Sequence, residues 1–186
     1  FLEPQNVQNK TFCLESNLIG FDMPNEGRWS IDITSGLIQF VPLSTFFGNP
    51  TSITYFIRDY NENISNEATI SFDLLPVTQS DLAAFISGQS VSLNIIQNDI
   101  IGDTVNPQTL EFLVPTTPNT IVNHSGNSII MQVSGEGTWN LSTINGDLLF
   151  VPEANFIGTP SVQQYRVKDF QGNWSNTSDI RLNSNG

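Results

Sequence analysis

A stretch of this chain occurs twice, 110 residues apart and without a gap. Gly27, Trp29 and Gly36 return as Gly137, Trp139 and Gly146, and Phe40-Val41-Pro42 returns as Phe150-Val151-Pro152. Phe46, Gly48 and Pro50 meet Phe156, Gly158 and Pro160, and Tyr55 and Asp59 meet Tyr165 and Asp169. Asn63, Ser65 and Asn66 meet Asn173, Ser175 and Asn176. A gapless period of this length is too long for a solenoid unit and matches one sandwich-sized domain. Two tandem domains follow, at 1–76 and 77–186, with Leu75-Pro76-Val77 as a short, proline-stiffened junction.

Local chemistry makes those domains all-β. Trp139, Leu141 and Thr143 share one face, Asn145-Gly146 turns, and Leu148 and Phe150 continue on the next run. Gly or Asn between alternating apolar runs is a hairpin signal, because such turns need positive φ. Pro42 and Pro152 close their strands, since proline cannot donate to a ladder. Phe46 to Pro50 and Phe156 to Pro160 read as loops with one aromatic plug turned inward. Val91, Leu93 and Ile95 alternate as a strand, and Thr109 to Val114 and Ile129 to Val133 give two more, joined by a polar loop through Pro115, Pro118 and Asn123. Ser80 to Phe85 has the local signals of a short capped helix, but the repeat context favours an extended strand.

These parts resemble the tandem repeats of giant bacterial surface adhesins, above all the CshA-type fibril repeat and the related cadherin-like or VCBS-type repeats. The matching parts are Leu93 to Asp99, Gly137 to Trp139, Phe150 to Pro152, Asn155 to Gly158 and Tyr165 to Asn173. The resemblance implies two tandem Ig-like or cadherin-like β-sandwich domains. It also implies an extracellular, bacterial cell-surface location and a structural role in adhesion, with neighbouring repeats of the same protein, and other copies in a filament, as partners. A carbohydrate- or protein-binding module, with its site on second-domain loops around Thr116 to Ser128, is the rival reading. Phe1-Leu2-Glu3-Pro4 looks like Phe112-Leu113-Val114-Pro115, so the first domain is expected to be incomplete at its N-terminal side. The abrupt start reads as an internal cut of a longer protein. The counterpart of residues 78–110 would then come from upstream residues or from a neighbouring chain.

Charge narrows the function classes. A net charge of −12, with acids outnumbering Lys and Arg three to one, argues against nucleic acid and against anionic membrane surfaces, while permitting divalent cations. No apolar run is long enough for direct membrane insertion. Cys13 is the single cysteine, which rules out a disulfide within the chain, and it reads as a small strand residue.

Asp59, Asn61 and Asn63 place oxygens at alternate positions, the opening rhythm of a calcium loop. Asp169 starts a partial repeat of that rhythm, and Asp99 and Asp103 mark another acidic corner. The same residues make ordinary turns by bonding their own backbone, and no bidentate Glu downstream completes a calcium loop. Calcium is therefore the one cofactor these motifs admit. Trp29, Trp139 and Trp174 could stack on a sugar, but the first two share one repeat position amid alternating apolar residues, which marks core. His124 sits alone in a polar stretch, and Glu15, Glu26, Glu136 and Glu153 are scattered. No nucleophile or phosphate-loop motif occurs, so no catalytic chemistry is expected.

Overall fold

The computed structural model describes residues 1–12, 18–114 and 120–184. Cys13, Glu15 and residues 115–119, Pro115 and Pro118 among them, lie outside them. The described chain is all-β and divides into two compact units, Phe1–Leu74 and Leu75–Gly186. No described helix is long and apolar enough to cross a membrane.

The first unit contains β1 (Gln8–Phe12), β2 (Leu18–Met23), β3 (Gly27–Ile31) and β4 (Ile38–Pro42), which form an antiparallel sheet in chain order. β5 (Ile53–Tyr55) and β6 (Ala68–Ile70) form a separate antiparallel pair. Leu18, Phe21, Met23, Trp29 and Ile53 are its buried core, and Phe1, Val7, Ile38, Phe40 and Ile70 pack on it half-buried.

The second unit opens with β7 (Pro76–Val77), β8 (Asp81–Phe85), β9 (Val91–Asn94) and β10 (Ile101–Gly102). There follow β11 (Val105–Leu113), β12 (Thr120–Ser125), β13 (Ser128–Val133), β14 (Gly137–Ser142), β15 (Asp147–Pro152), β16 (Gln163–Asp169) and β17 (Ser178–Ser184). One sheet has the order β11-β16-β17-β8 and the other β12-β13-β14-β15-β9, while β7 and β10 pair alone. Pro76 and Val77, expected in the junction, are thus strand residues of the second unit. Both large sheets feed one core: Phe85, Phe112, Tyr165, Val167, Ile180 and Leu182 from the first, Ile129, Met131, Trp139, Leu141, Leu148 and Phe150 from the second. Two sheets sharing one apolar interior make a β-sandwich.

The repeat positions are explained by packing. Trp29 and Trp139 are fully buried, each against the phenylalanine across its hairpin, Phe40 at 4.9 Å and Phe150 at 4.5 Å between ring centroids. Gly27 and Gly137 face the closing strand so tightly that a Cβ would lie 2.3 Å from the Val41 carbonyl oxygen and 2.4 Å from that of Val151. Glycine is required at both.

The N-terminus also follows the repeat. The Leu2 N–H donates to the Thr54 carbonyl at 2.9 Å, where in the second unit Leu113 of β11 pairs with Gln164. Phe1 packs edge-on against Phe21, as Phe112 enters the second core. Among the described residues, the first unit has no strand corresponding to β8, which in the second unit lies beside β17, or to β9, which lies beside β15.

Candidate functional site

Asp59 and Asp169 sit in turns built alike. Asp59 Oδ1 accepts the N–H groups of Asn61 and Asn63 at 2.8 and 2.9 Å, and Oδ2 accepts Asn63 Nδ2 at 2.8 Å. Asp169 Oδ1 accepts Gly172 and Asn173 N–H at 2.7 and 2.8 Å, and Oδ2 accepts Asn173 Nδ2 at 2.9 Å. The bonds to Asn63, side chain first and then backbone, hold the Asp59 carboxyl below its ordinary range. Burial pushes Asp169 upward, but the donors of Asn173, Gly172 and Gln171 together outweigh it and leave its carboxyl lowered. Asn61 contributes a backbone donor to its turn. Ser65 and Ser175 complete the pattern, accepting the N–H of Ile57 and of Val167 at 3.1 Å.

Asp99 and Asp103 do not share a site. Asp103 accepts from Thr104 N–H and Gln171 Nε2. Asp99 has different partners, in a buried corner with Tyr165. Its Oδ1 accepts the Gln79 N–H at 2.7 Å. The Tyr165 hydroxyl lies 3.0 Å from Asp99 Oδ2, 2.6 Å from the Ile95 carbonyl and 3.1 Å from that of Gln79. One hydroxyl proton serves three acceptors.

Asp81, at the start of β8, adds a second carboxyl to this corner, with its Oδ2 buried and unpartnered. Burial, with the charge of Asp99 beside it, pushes Asp81 up to about 7. Asp99 is pushed up to about 6 by burial, partly offset by the Gln79 and Tyr165 donors. Burial and the two carboxylates raise the Tyr165 phenol well beyond its usual range, so it stays protonated. Sequence reasoning passed over Asp81. Its signal was an acid opening an otherwise apolar strand, Asp81-Leu82-Ala83-Ala84-Phe85.

Trp29 and Trp139 are core, and so unavailable to a sugar. Trp174 is half-buried beneath two cations, with Arg166 Cζ 4.0 Å and Lys168 Nζ 4.6 Å from the ring centroid. Asn123 and His124, expected in a loop, lie in β12 opposite Ile130 and Ile129, and His124 is exposed. Glu26 and Glu136 do the same structural work in each unit, accepting from Thr51 and from Ser161. Glu153 accepts the Gly135 N–H. Among the described residues no three His, Cys, Asp or Glu side chains are grouped to hold a metal.

The polar residues described above are engaged in turns, in loop ties and in one buried corner. No curated protein matches the chain. The family model of the surface adhesin CshA repetitive domain matches residues 83–178, from within β8 to the first residue of β17. That span covers more than half of the chain, and the chain belongs to the family of surface adhesin CshA repetitive domains.

Proposed function

We propose that these units are stalk repeats of a large, secreted bacterial cell-surface adhesin, contributing reach and rigidity to adhesion, with further repeats of the same protein as neighbours. The observation that carries this is which residues repeat. Trp29 and Trp139, Phe40 and Phe150, the aspartate turns and the two glutamate loop ties all serve folding. Repetition that preserves interior and turns, and leaves the outer faces free to differ, adds length rather than copies of a ligand site.

The two-unit chain, displayed to a glycan array and to host-surface protein extracts, should give no reproducible specific binding. Specific binding abolished by changing Ile121 and Asn123 on one face of β12, together with the exposed His124, would replace the stalk with a binding module.

A further inference from the structure

Counterpart edges in the two units are finished differently. β1 is the outer strand of the first unit's sheet, and β12, by the 110-residue period, is its counterpart in the second. β1 is guarded. Its ladder with β2 slips twice between Gln8 and Phe12, Asn9 has a φ of 45°, and Lys10 stands in the strand, paired with Glu3. Arg28, two strands in, reaches back to donate to the Thr11 hydroxyl at 2.7 Å and to the Asn9 carbonyl at 3.2 Å, with Asp22 2.8 Å from its guanidinium. Bulges and charges of this kind keep a sheet edge from pairing with another chain.

β12 lacks them. All six residues from Thr120 to Ser125 pair with β13 in unbroken register, and among the described residues no other strand lies along it. Where the first unit has Thr11, Asp22 and Arg28, the second has Ile121, Gln132 and Thr138. β12, β13 and β14 contain no Asp, Glu, Lys or Arg at all. Ile121, Asn123 and Ser125 are exposed on the outer face of this sheet, while Val122 packs on the core behind it. The outer strand of the other sheet, β11, is again interrupted, by Pro107 and a slip in register between Asn106 and Glu111. β12 is thus a regular, uncharged edge whose alternate N–H and C=O groups point away from β13.

The net charge of −12 decides which partner suits that edge. A basic partner would be drawn to the acidic faces, whereas a neutral strip is where two bodies of like sign meet with least repulsion. We propose that β12 pairs antiparallel with β12 of a second copy of this chain, joining their five-stranded sheets edge to edge. A two-fold axis at the strand centre makes the contact isologous and sets Asn123 close to its own copy. Main-chain bonds supply the affinity. This inference rests on the edge of the second unit and holds whether or not the repeats act as a stalk.

Sedimentation of the whole chain at rising concentration, read beside backbone amide exchange, tests it. A monomer–dimer equilibrium is expected, with amides between Ile121 and Ser125 exchanging more slowly as the dimer fills. Asn123→Lys and Ile121→Glu each set like charges close to the axis and should each weaken the dimer about tenfold or more. Asn140→Lys, exposed on the same sheet face but two strands inward, should leave it unchanged. Both lysine substitutions lower the net negative charge, so general repulsion predicts no loss from either. Retained exchange protection in β14 identifies a folded variant, and either edge variant alone decides the question. A chain that stays monomeric at millimolar concentration would overturn the proposal, and so would a dimer indifferent to the edge substitutions. Equal loss with Asn140→Lys would overturn it in favour of contact between sheet faces.

Discussion

Asp81 and Asp99 give the second unit an unusual dependence on pH. Their folded-state values, about 7 and about 6, lie above the 3.8 of an unperturbed carboxyl, so the folded unit binds protons more tightly than the unfolded chain. The stabilisation is complete below pH 4 and is lost as pH rises through 6 and 7. Asp169 and Asp179 are lowered and act in the opposite sense, but their contribution changes only below pH 4. The urea midpoint of the second unit should therefore fall between pH 5 and pH 8. Asp81→Asn should flatten that slope and raise the midpoint at pH 8, because a neutral amide replaces a buried charge. A wild-type midpoint that climbs over this interval would rule out a proton held in the corner.

At the level of elements, the hairpins and turns were the legible part. Gly-x-Trp, the Asn-Gly turn and Phe-Val-Pro are local chemistry, and β14 and β15 lie where that chemistry puts them. The strand at Ser80 to Phe85 was decided by the repeat rather than by its local signals, which suit a helix start equally well. What stayed hidden depends on contacts far apart in sequence. Asp99 pairs with Tyr165 across the sandwich, and no spacing rule links them. The rhythm of Asp59, Asn61 and Asn63 was visible, but which donors meet those carboxylate oxygens is a matter of turn geometry. β12 was missed because Asn123 and His124 look like loop residues, yet on an edge strand with one face exposed polar side chains are at home.

At the scale of the whole molecule, the two units differ in the size of the apolar core that their described residues bury. Among the described residues, fourteen apolar side chains form the buried core of the second unit and five that of the first. Heating should give two transitions, the first unit melting below the second. Trp139→Ala should destabilise the upper transition by roughly 3–5 kcal/mol and Trp29→Ala should act on the lower one. A single transition shifted equally by both substitutions would mean that the units do not fold separately. The parallel pairing of β8 with β17 has a mechanical consequence. The opening and closing strands of the second unit lie side by side and leave the ladder at opposite ends, so tension along the chain pulls them past each other in shear. All five paired positions, from Ile180 opposite Asp81 to Ser184 opposite Phe85, bear the load together rather than parting one by one. In the first unit, among the described residues, β6 pairs with antiparallel β5 alone, joined by the chain between Tyr55 and Ala68. Pulled by its ends in a single-molecule experiment, the chain should yield first in the first unit, at low force, and only later and more abruptly in the second.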